Sequence, residues 1–353
     1  MKRSTQASRP RQARRKPAAV VRSKRPKLGE ELFELEVTVL HKVCKEVDTP
    51  RSLAVYLLSK HSEWDQYLEL TFPDPLLDTF ADDYLVSEMM SKNPRLPIKR
   101  DRKGLAIQKF QETEVSCWLT NARLRECFEQ PAKHHQDLHW ISQCQAILHE
   151  SLGPLSRAKL QSLDDLFRFG PGATSSVSGK DVLASKKYVS RLDATPRLAP
   201  FVRSVVGRMT GGVSITAASM VTTVPKNAKV DRTICIEPHA NIYYQLGVGA
   251  LLRSTLVRLG LDPNHQERNR FFAEHAVERG YATIDLSSAS DTIAWELVFR
   301  LFPDDWFHLL LLGRTDRYCL EEGGRAETFQ KFSSMGNGYT WELESLIFYC
   351  IAR

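Results

Sequence analysis

The stretch "YATIDLSSASDTI" (281–293) places two carboxylates, Asp285 and Asp291, six positions apart around small hydroxylated residues. "YATIDL" alternates and is rich in β-branched and apolar residues, which predicts a buried strand that gives way at Asp285. A carboxylate at a buried strand end is costly unless it is paired or binds a metal. Hard cations such as Mg2+ take carboxylate oxygens, with water and substrate phosphates supplying the rest of the shell. Asp285 is therefore a candidate metal ligand; the alternative is a cap for the helix that starts near Asp291. Asp291, just before "TIAWELVFRLF", reads equally as the N-cap of that helix or as a functional group.

Three further stretches carry residues of the right type for phosphate or sugar. In "VPKNAKVDRTICIEP" (224–238), Lys226, Lys229 and Arg232 stand every third residue. On an extended or turning segment they can converge on one phosphate chain, with Arg232 as the planar fork; the alternative is a solvated basic loop. In "FSSMGNGYTWELESLIFYCIAR" (332–353), Ser333, Ser334, Gly336, Asn337 and Gly338 make a flexible turn before a helix. Leu343, Leu346, Ile347, Cys350 and Ile351 should bury one face of that helix. A Gly-rich turn entering a helix approaches phosphate or sugar closely, or is simply structural. In "FGPGATSS" (169–176), Gly170 and Gly172 let backbone amides reach phosphate. It is not a Walker A loop, since no Gly-Lys-Ser/Thr follows at the required spacing.

These stretches need elements to hold them. Residues 29–165 are rich in Leu, Glu, Lys and Gln, with "GEELFELEVTVLHKVCKEV" and "HWISQCQAILHESLGPLSRAKLQSL" spacing apolar residues at three and four, which predicts a mainly helical region. From 166 to about 280, Gly-rich turns, the β-branched runs "MVTTV" and "RTICI", and a helix-like "ANIYYQLGVGALLRSTLVRLG" follow one another. A third zone begins at the opening stretch. His134, His135 and His139, with Cys144 nearby, invite a metal reading, but no second ligand pair follows at a finger-like spacing and no metal is placed there.

At 353 residues, 42% hydrophobic and 26% charged, the chain reads as globular, with a formal charge of +7. The first 28 residues hold no Asp or Glu, and without their Lys and Arg the remainder is net acidic. This arm, broken by Pro10, Pro17 and Pro26, should be disordered until it meets a polyanion such as RNA. A solvated tail or a transit peptide would share its composition. No apolar run approaches a membrane span, and there is no signal-peptide core. Seven cysteines without a CxxC pair are most simply free thiols, which makes an intracellular protein the default.

Together and in this order, "FGPGAT", "VPKNAKVDRTICIEPHANIYYQLGVG", "LGLDPNHQERNRFFA", "ATIDLSSASDTI" and "SSMGNGYTWELESLIF" resemble the RNA-directed RNA polymerase of leviviruses, the single-stranded RNA bacteriophages. The resemblance covers roughly residues 165–353. It implies an α+β, right-hand polymerase fold whose palm is a small antiparallel sheet backed by helices. The chain would then divide into a disordered basic arm (1–28), a mainly helical N-terminal region (29–165), fingers (166–270) and a partial palm (271–353). Asp285 matches the catalytic palm aspartate that holds Mg2+, with the Leu286 carbonyl contributing. Asp291 matches the acidic residue that recognises the ribose. Lys226, Lys229 and Arg232 match the fingers motif that neutralises the incoming triphosphate. Ser334, Gly336 and Asn337 match the loop that positions template and ribose. Gly170 and Gly172, with Arg11, Arg14 and Arg15 of the arm, are the RNA-binding expectation. The chemistry implied is two-metal nucleotidyl transfer.

Two metals need more carboxylate, which this family keeps in a Gly-Asp-Asp turn after the helix of the 332–353 stretch. Asp82-Asp83, Asp164-Asp165 and Asp304-Asp305 all precede that helix, and none follows a Gly. The expectation is an incomplete, C-terminally truncated polymerase without thumb, inactive alone. The other reading is a non-catalytic RNA-binding or scaffolding protein with a degenerate polymerase fold. A reverse transcriptase would share the palm, but the ribose-reading Asp291 argues against it. The implied partners are RNA template, nucleoside triphosphates, and host elongation factors Tu and Ts with a small-subunit ribosomal protein, in the cytoplasm of an infected bacterium.

Overall fold

The computed structural model describes residues 28–178, 182–188, 192–205, 212–282 and 284–353. Arg11, Arg14 and Arg15, with the rest of the basic arm up to residue 27, lie outside them. The chain forms two compact units, one ending at Ile98 and one running from Lys99 to Arg353. The boundary falls inside the stretch that composition treats as one helical region.

The first unit is helical: α1 (Leu28–Val47), α2 (Pro50–Lys60), α3 (Trp64–Leu68) and α4 (Phe80–Glu88). "DTPRS" writes the start of α2 in a few residues. Thr49 Oγ1 accepts from Ser52 N at 3.0 Å, Ser52 Oγ accepts from Thr49 N at 2.9 Å, and Pro50 sits in the first turn, where its missing N–H costs nothing. The same Thr49 hydroxyl donates to Asp83 at 2.6 Å, so Asp83 of the Asp82-Asp83 pair is occupied in tying α2 to α4.

The second unit begins with α5 (Arg102–Glu129), α6 (His135–Leu152) and α7 (Arg157–Leu166). The periodic run 139–163 is split at Gly153-Pro154, where Gly153 takes φ 59°, a left-handed value that a glycine reaches without steric cost. Next come α8 (Ala184–Lys187), β1 (Leu192–Ala194), α9 (Ala199–Val205) and β2 (Val213–Ile215), with β1 and β2 parallel. The β-branched runs form β3 (Ser219–Val224) and β4 (Arg232–Ile236), an antiparallel pair in which Val221 faces Cys235. Then follow α10 (His239–Arg258), α11 (Gln266–Glu274), α12 (Ala276–Arg279), α13 (Trp295–Leu301), α14 (Asp304–Gly313), β5 (Arg317–Cys319), β6 (Glu327–Thr328) and α15 (Thr340–Ala352). The four-stranded sheet runs β4-β3-β5-β6, with β3 and β5 parallel.

Two cores hold these elements. The larger joins α6, α7, α10, α13, α14 and α15 around Tyr244, Leu252, Trp306, Phe332, Tyr339 and Leu346, all buried. Helix α10 is buried along most of its length, and its buried polar side chains, such as Asn241 and Gln245, are hydrogen-bonded. The smaller core packs Phe110 of α5 on Val221, Cys235, Tyr318 and Phe329, and so lays α5 across one face of the sheet.

The expected strand at 281–286 is not formed: among the described residues of that stretch none is in a strand, and Ile284 and Leu286 are 82% and 51% exposed. An alternating pattern supplies the strand's side chains but not its pairing edge, and no strand of the described residues pairs with it. The helix expected from Asp291 starts later, at Trp295 with Ala294 as N-cap, after a 3-10 turn at Ala289–Thr292. In α15, Leu343, Leu346, Ile347 and Cys350 are buried as expected, whereas Ile351 is 63% exposed beyond the edge of that face.

Candidate functional site

The connection 225–231 between β3 and β4 is closed by one side chain. Asn227 Oδ1 accepts from the amides of Lys229 and Val230, both at 2.9 Å. This turns Lys226 and Arg232 toward a cavity of about 290 Å³, lined also by Lys109, Phe110 and Thr113 of α5, Asp231, Ser288–Asp291, Met335 and Glu344. Lys229 is exposed on the same turn but does not line the cavity. Among the described residues, neither Lys226, Lys229 nor Arg232 forms an ion pair.

Asp291 enters this cavity from the 3-10 turn, which Ser288 begins in a left-handed conformation (φ 57°). Its carboxylate is not a helix cap. It accepts from Lys331 Nζ at 2.8 Å. Lys331 is wholly buried, lies 3.4 Å from Glu114 of α5, and stands 3.9 Å over the Phe110 ring. Glu114 also accepts from the Gln330 amide at 2.6 Å, and burial raises its carboxyl above the usual range against the pull of Lys331. One cation between two carboxylates is how a buried charge is made tolerable. The pairing reaches from α5 to the strand-like segment before the 333–338 turn, and it fixes where Asp291 points.

Lys331, Glu114 and Glu344 were not marked as functional by the sequence. A lysine between two phenylalanines in "FQKFSS" carries no signal until its partner on α5 is known. Glu344, on α15, has one oxygen buried with no hydrogen-bond partner, as does Asp231. Burial first, and then the Asp291 carboxylate, push the Glu344 carboxyl up to about 7. The cavity thus combines a basic side, Lys109, Lys226 and Arg232, with acceptors or neutral acids that suit hydroxyl groups: Asp231, Asp291, Glu344 and Ser290. A ligand that carries both phosphate and hydroxyls fits it.

The remaining turn residues are placed elsewhere. Ser334 is buried beneath the turn, while Gly336 and Asn337 line a second cavity of about 600 Å³ with Gly170, Gly172, Arg168, Arg253 and Trp341. Gly336 has φ 108°, and a Cβ there would stand 2.2 Å from the Cys235 carbonyl oxygen, so only glycine lets the turn lie on β4. The turn is held from α10: Gln245 Oε1 accepts from the Gly338 amide at 3.1 Å while its Nε2 donates to the buried Glu237 at 2.9 Å. In the 169–176 loop, buried Lys187 donates to the carbonyls of Gly170, at 2.5 Å, and of Gly172.

Asp285 is exposed and outside both cavities. Among the described residues it belongs to no group of three metal-ligating side chains. Of the other acid pairs, Asp305, in the first turn of α14, accepts from the amides of Trp306 and Leu155, both at 2.8 Å, and is well occupied where it is. The described residues therefore do not fit a two-metal centre by themselves.

The fold is mixed α and β, and its relatives give the family. Residues 37–353 match the family "RNA replicase, beta-chain". The chain is 37% identical over 312 residues to the RNA-directed RNA polymerase subunit beta of Enterobacteria phage SP, covering 84% of this chain and 53% of that protein. It is 36% identical over 285 residues to that of Escherichia virus Qbeta (78% and 47%), and 33% identical over 325 residues to the RNA-directed RNA polymerase beta chain of Escherichia phage MS2 (87% and 57%). This chain belongs to the RNA replicase beta-chain family. It spans about half the length of the curated relatives it matches.

Proposed function

We propose that this chain is the nucleotide- and template-handling part of a viral RNA-directed RNA polymerase of right-hand form, with fingers in 166–270 and part of the palm in 271–353. The observation that carries the reading is the cavity where Lys226 and Arg232 meet Asp291. In it the two bases, with Lys109, hold the triphosphate and offset the charge that develops as the phosphoryl group transfers. Asp291, oriented by Lys331, accepts from a ribose hydroxyl and so favours ribonucleotides. The glycine-lined second cavity, with Gly170, Gly172, Gly336 and Asn337, borders the path of the template, and Arg168 faces its phosphates, whereas Arg253 is paired with Glu342.

Asp285 and the Leu286 carbonyl offer oxygen ligands to a divalent ion of the Mg2+ type. A two-ion centre needs more carboxylate than the described residues bring to Asp285, and synthesis by these 353 residues alone is not expected. Lys229 and the arm residues Arg11, Arg14 and Arg15 add a basic surface for RNA. The chain's partners would be host elongation factors Tu and Ts and a small-subunit ribosomal protein, in the bacterial cytoplasm.

Equilibrium titration with GTP and dGTP tests this reading. Joint Lys226→Ala and Arg232→Ala substitution should weaken GTP binding about a hundred-fold or more, since each lost charge-assisted bond is worth about 1.5 kcal/mol or more. Asp291→Asn should narrow the preference for GTP over dGTP. Unchanged GTP binding in the double variant would remove the cavity from the account. A chain that binds RNA but not GTP would favour the scaffolding reading instead.

A further inference from the structure

We propose that Cys127, His134 and Asp137 form a zinc site that clamps the turn between α5 and α6. The proposal is independent of the nucleotide cavity. Cys127 lies in the last turn of α5, His134 is the N-cap residue of α6, and Asp137 is in the first turn of α6. Cys127 Sγ is 3.8 Å from Asp137 Oδ2, and His134 Nδ1 is 3.4 Å from the same oxygen. All three ligand atoms lie within 4.8 Å of one another. Around a tetrahedral zinc, bond lengths of 2.0 to 2.3 Å put sulfur and oxygen ligands about 3.5 Å apart and nitrogen and oxygen ligands about 3.3 Å apart. The cluster therefore needs shifts of only a few tenths of an ångström on those two edges.

The donor set selects the metal. One thiolate, one imidazole and one carboxylate suit zinc, whereas Mg2+ and Ca2+ prefer oxygen throughout. With Nδ1 on the metal, the His134 proton sits on Nε2, a buried atom without a hydrogen-bond partner that lies 3.6 Å from Glu126 Oε1. A carboxylate behind a metal-bound imidazole is the arrangement that orients such a ligand. Glu126 is in turn held by Lys133 at 2.6 Å, and Asp137 by Arg123 at 3.3 Å. Three protein ligands leave a fourth position for water, and the Asp137 side chain, 39% exposed, gives the cluster an edge on solvent.

Without metal the same groups are poorly used. A buried thiol donating across 3.8 Å is a weak bond, and His134 Nδ1 has only the Asp137 carboxylate, at 3.4 Å. The histidines that share the α6 face by spacing are not the ligands: His135 and His139 lie outside the cluster, and Cys144 packs elsewhere, against the Cys350 carbonyl at 3.8 Å. The pattern C-x6-H-x2-D matches no finger spacing, which is why the sequence did not show it. Zinc binding would release the Cys127 proton, so affinity should fall at lower pH.

Co2+ substitution, monitored by absorbance, gives the test. The chelator-treated 353-residue chain should take up one Co2+ per chain, with a thiolate-to-cobalt band in the near ultraviolet, and Zn2+ should displace it. Cys127→Ser should abolish the band. Asp137→Asn, at a partly exposed position that does not threaten the fold, should weaken uptake at least about ten-fold, and Glu126→Gln by about ten-fold. Zn2+ should raise the thermal midpoint of the native chain and not that of Asp137→Asn. No stoichiometric uptake, or uptake and a thiolate band unchanged by Cys127→Ser and Asp137→Asn alike, would overturn the site.

Discussion

Asp285 and Asp291 come from one short stretch, yet the fold treats them differently. Asp291 ends on a lysine that is wholly buried between it and Glu114, over the ring of Phe110. Around Asp285 nothing comparable has formed: Ile284 is 82% exposed, and residues from 266 to 287 contribute no buried side chain among those described. The difference is one of where the partner lies. An ion pair can be completed by one residue forty positions away, whereas a strand needs a whole row of backbone donors and acceptors beside it. The site therefore has a part that is set by contacts within these residues and a part that is not.

The most severe way to break the set part is Lys331→Met. It leaves Glu114 and Asp291 facing each other without a counter-charge in a buried place, and should cost about 3 kcal/mol or more in urea unfolding. Restoration by adding Asp291→Asn and Glu114→Gln would locate the loss in the pairing. Asp291→Asn alone should cost less, about 1 to 2 kcal/mol, because the carboxylate is 21% exposed and Lys331 keeps Glu114.

A pH series sharpens the same region. Glu344 is held protonated by burial and by Asp291, its pKa raised to about 7 from 4.5. A proton bound more tightly in the fold than in the unfolded chain adds stability below the unfolded value, and that addition is lost as pH rises through the folded one. Between about pH 4.5 and 7 the native chain should lose on the order of 1 kcal/mol from this group, after allowance for solvent screening, and Glu344→Gln should flatten that fall. The smallest effect belongs to the other region. Asp285→Ala should change stability by no more than about 0.5 kcal/mol, while removing synthesis in any longer polymerase that contains this segment.

What could be read from the sequence follows the same division. β3, β4, α10 and α15 were legible because their patterns are local: β-branched runs, a Leu- and Tyr-rich helical run, a glycine turn before an amphipathic stretch. The convergence of Lys226 and Arg232 was legible too, from spacing. Lys229 stands apart because Asn227 closes the turn in a way that three-residue spacing does not specify. Lys331 was not legible, since nothing distinguishes a buried lysine from a solvated one until Glu114, far away on α5, is packed beside it. The 281–286 strand was predicted from a true alternation that lacks its edge here. Cys127 escaped notice because its ligand partners cross a helix–helix turn at a spacing no common motif uses.

Hydrogen exchange of the unliganded chain, resolved over residues 281–298 and 329–333, tests the division most directly. Rapid exchange is expected at Ala282 and at 284–287, and strong protection at the amides of Trp295, Glu296 and Val298 and of Phe329, Gln330 and Phe332, the last three hydrogen-bonded to Asp316, Glu114 and Ile293. Protection at 282–286 equal to that of β3 and β4 would contradict it, since it would show that the Asp285 segment is already a paired strand.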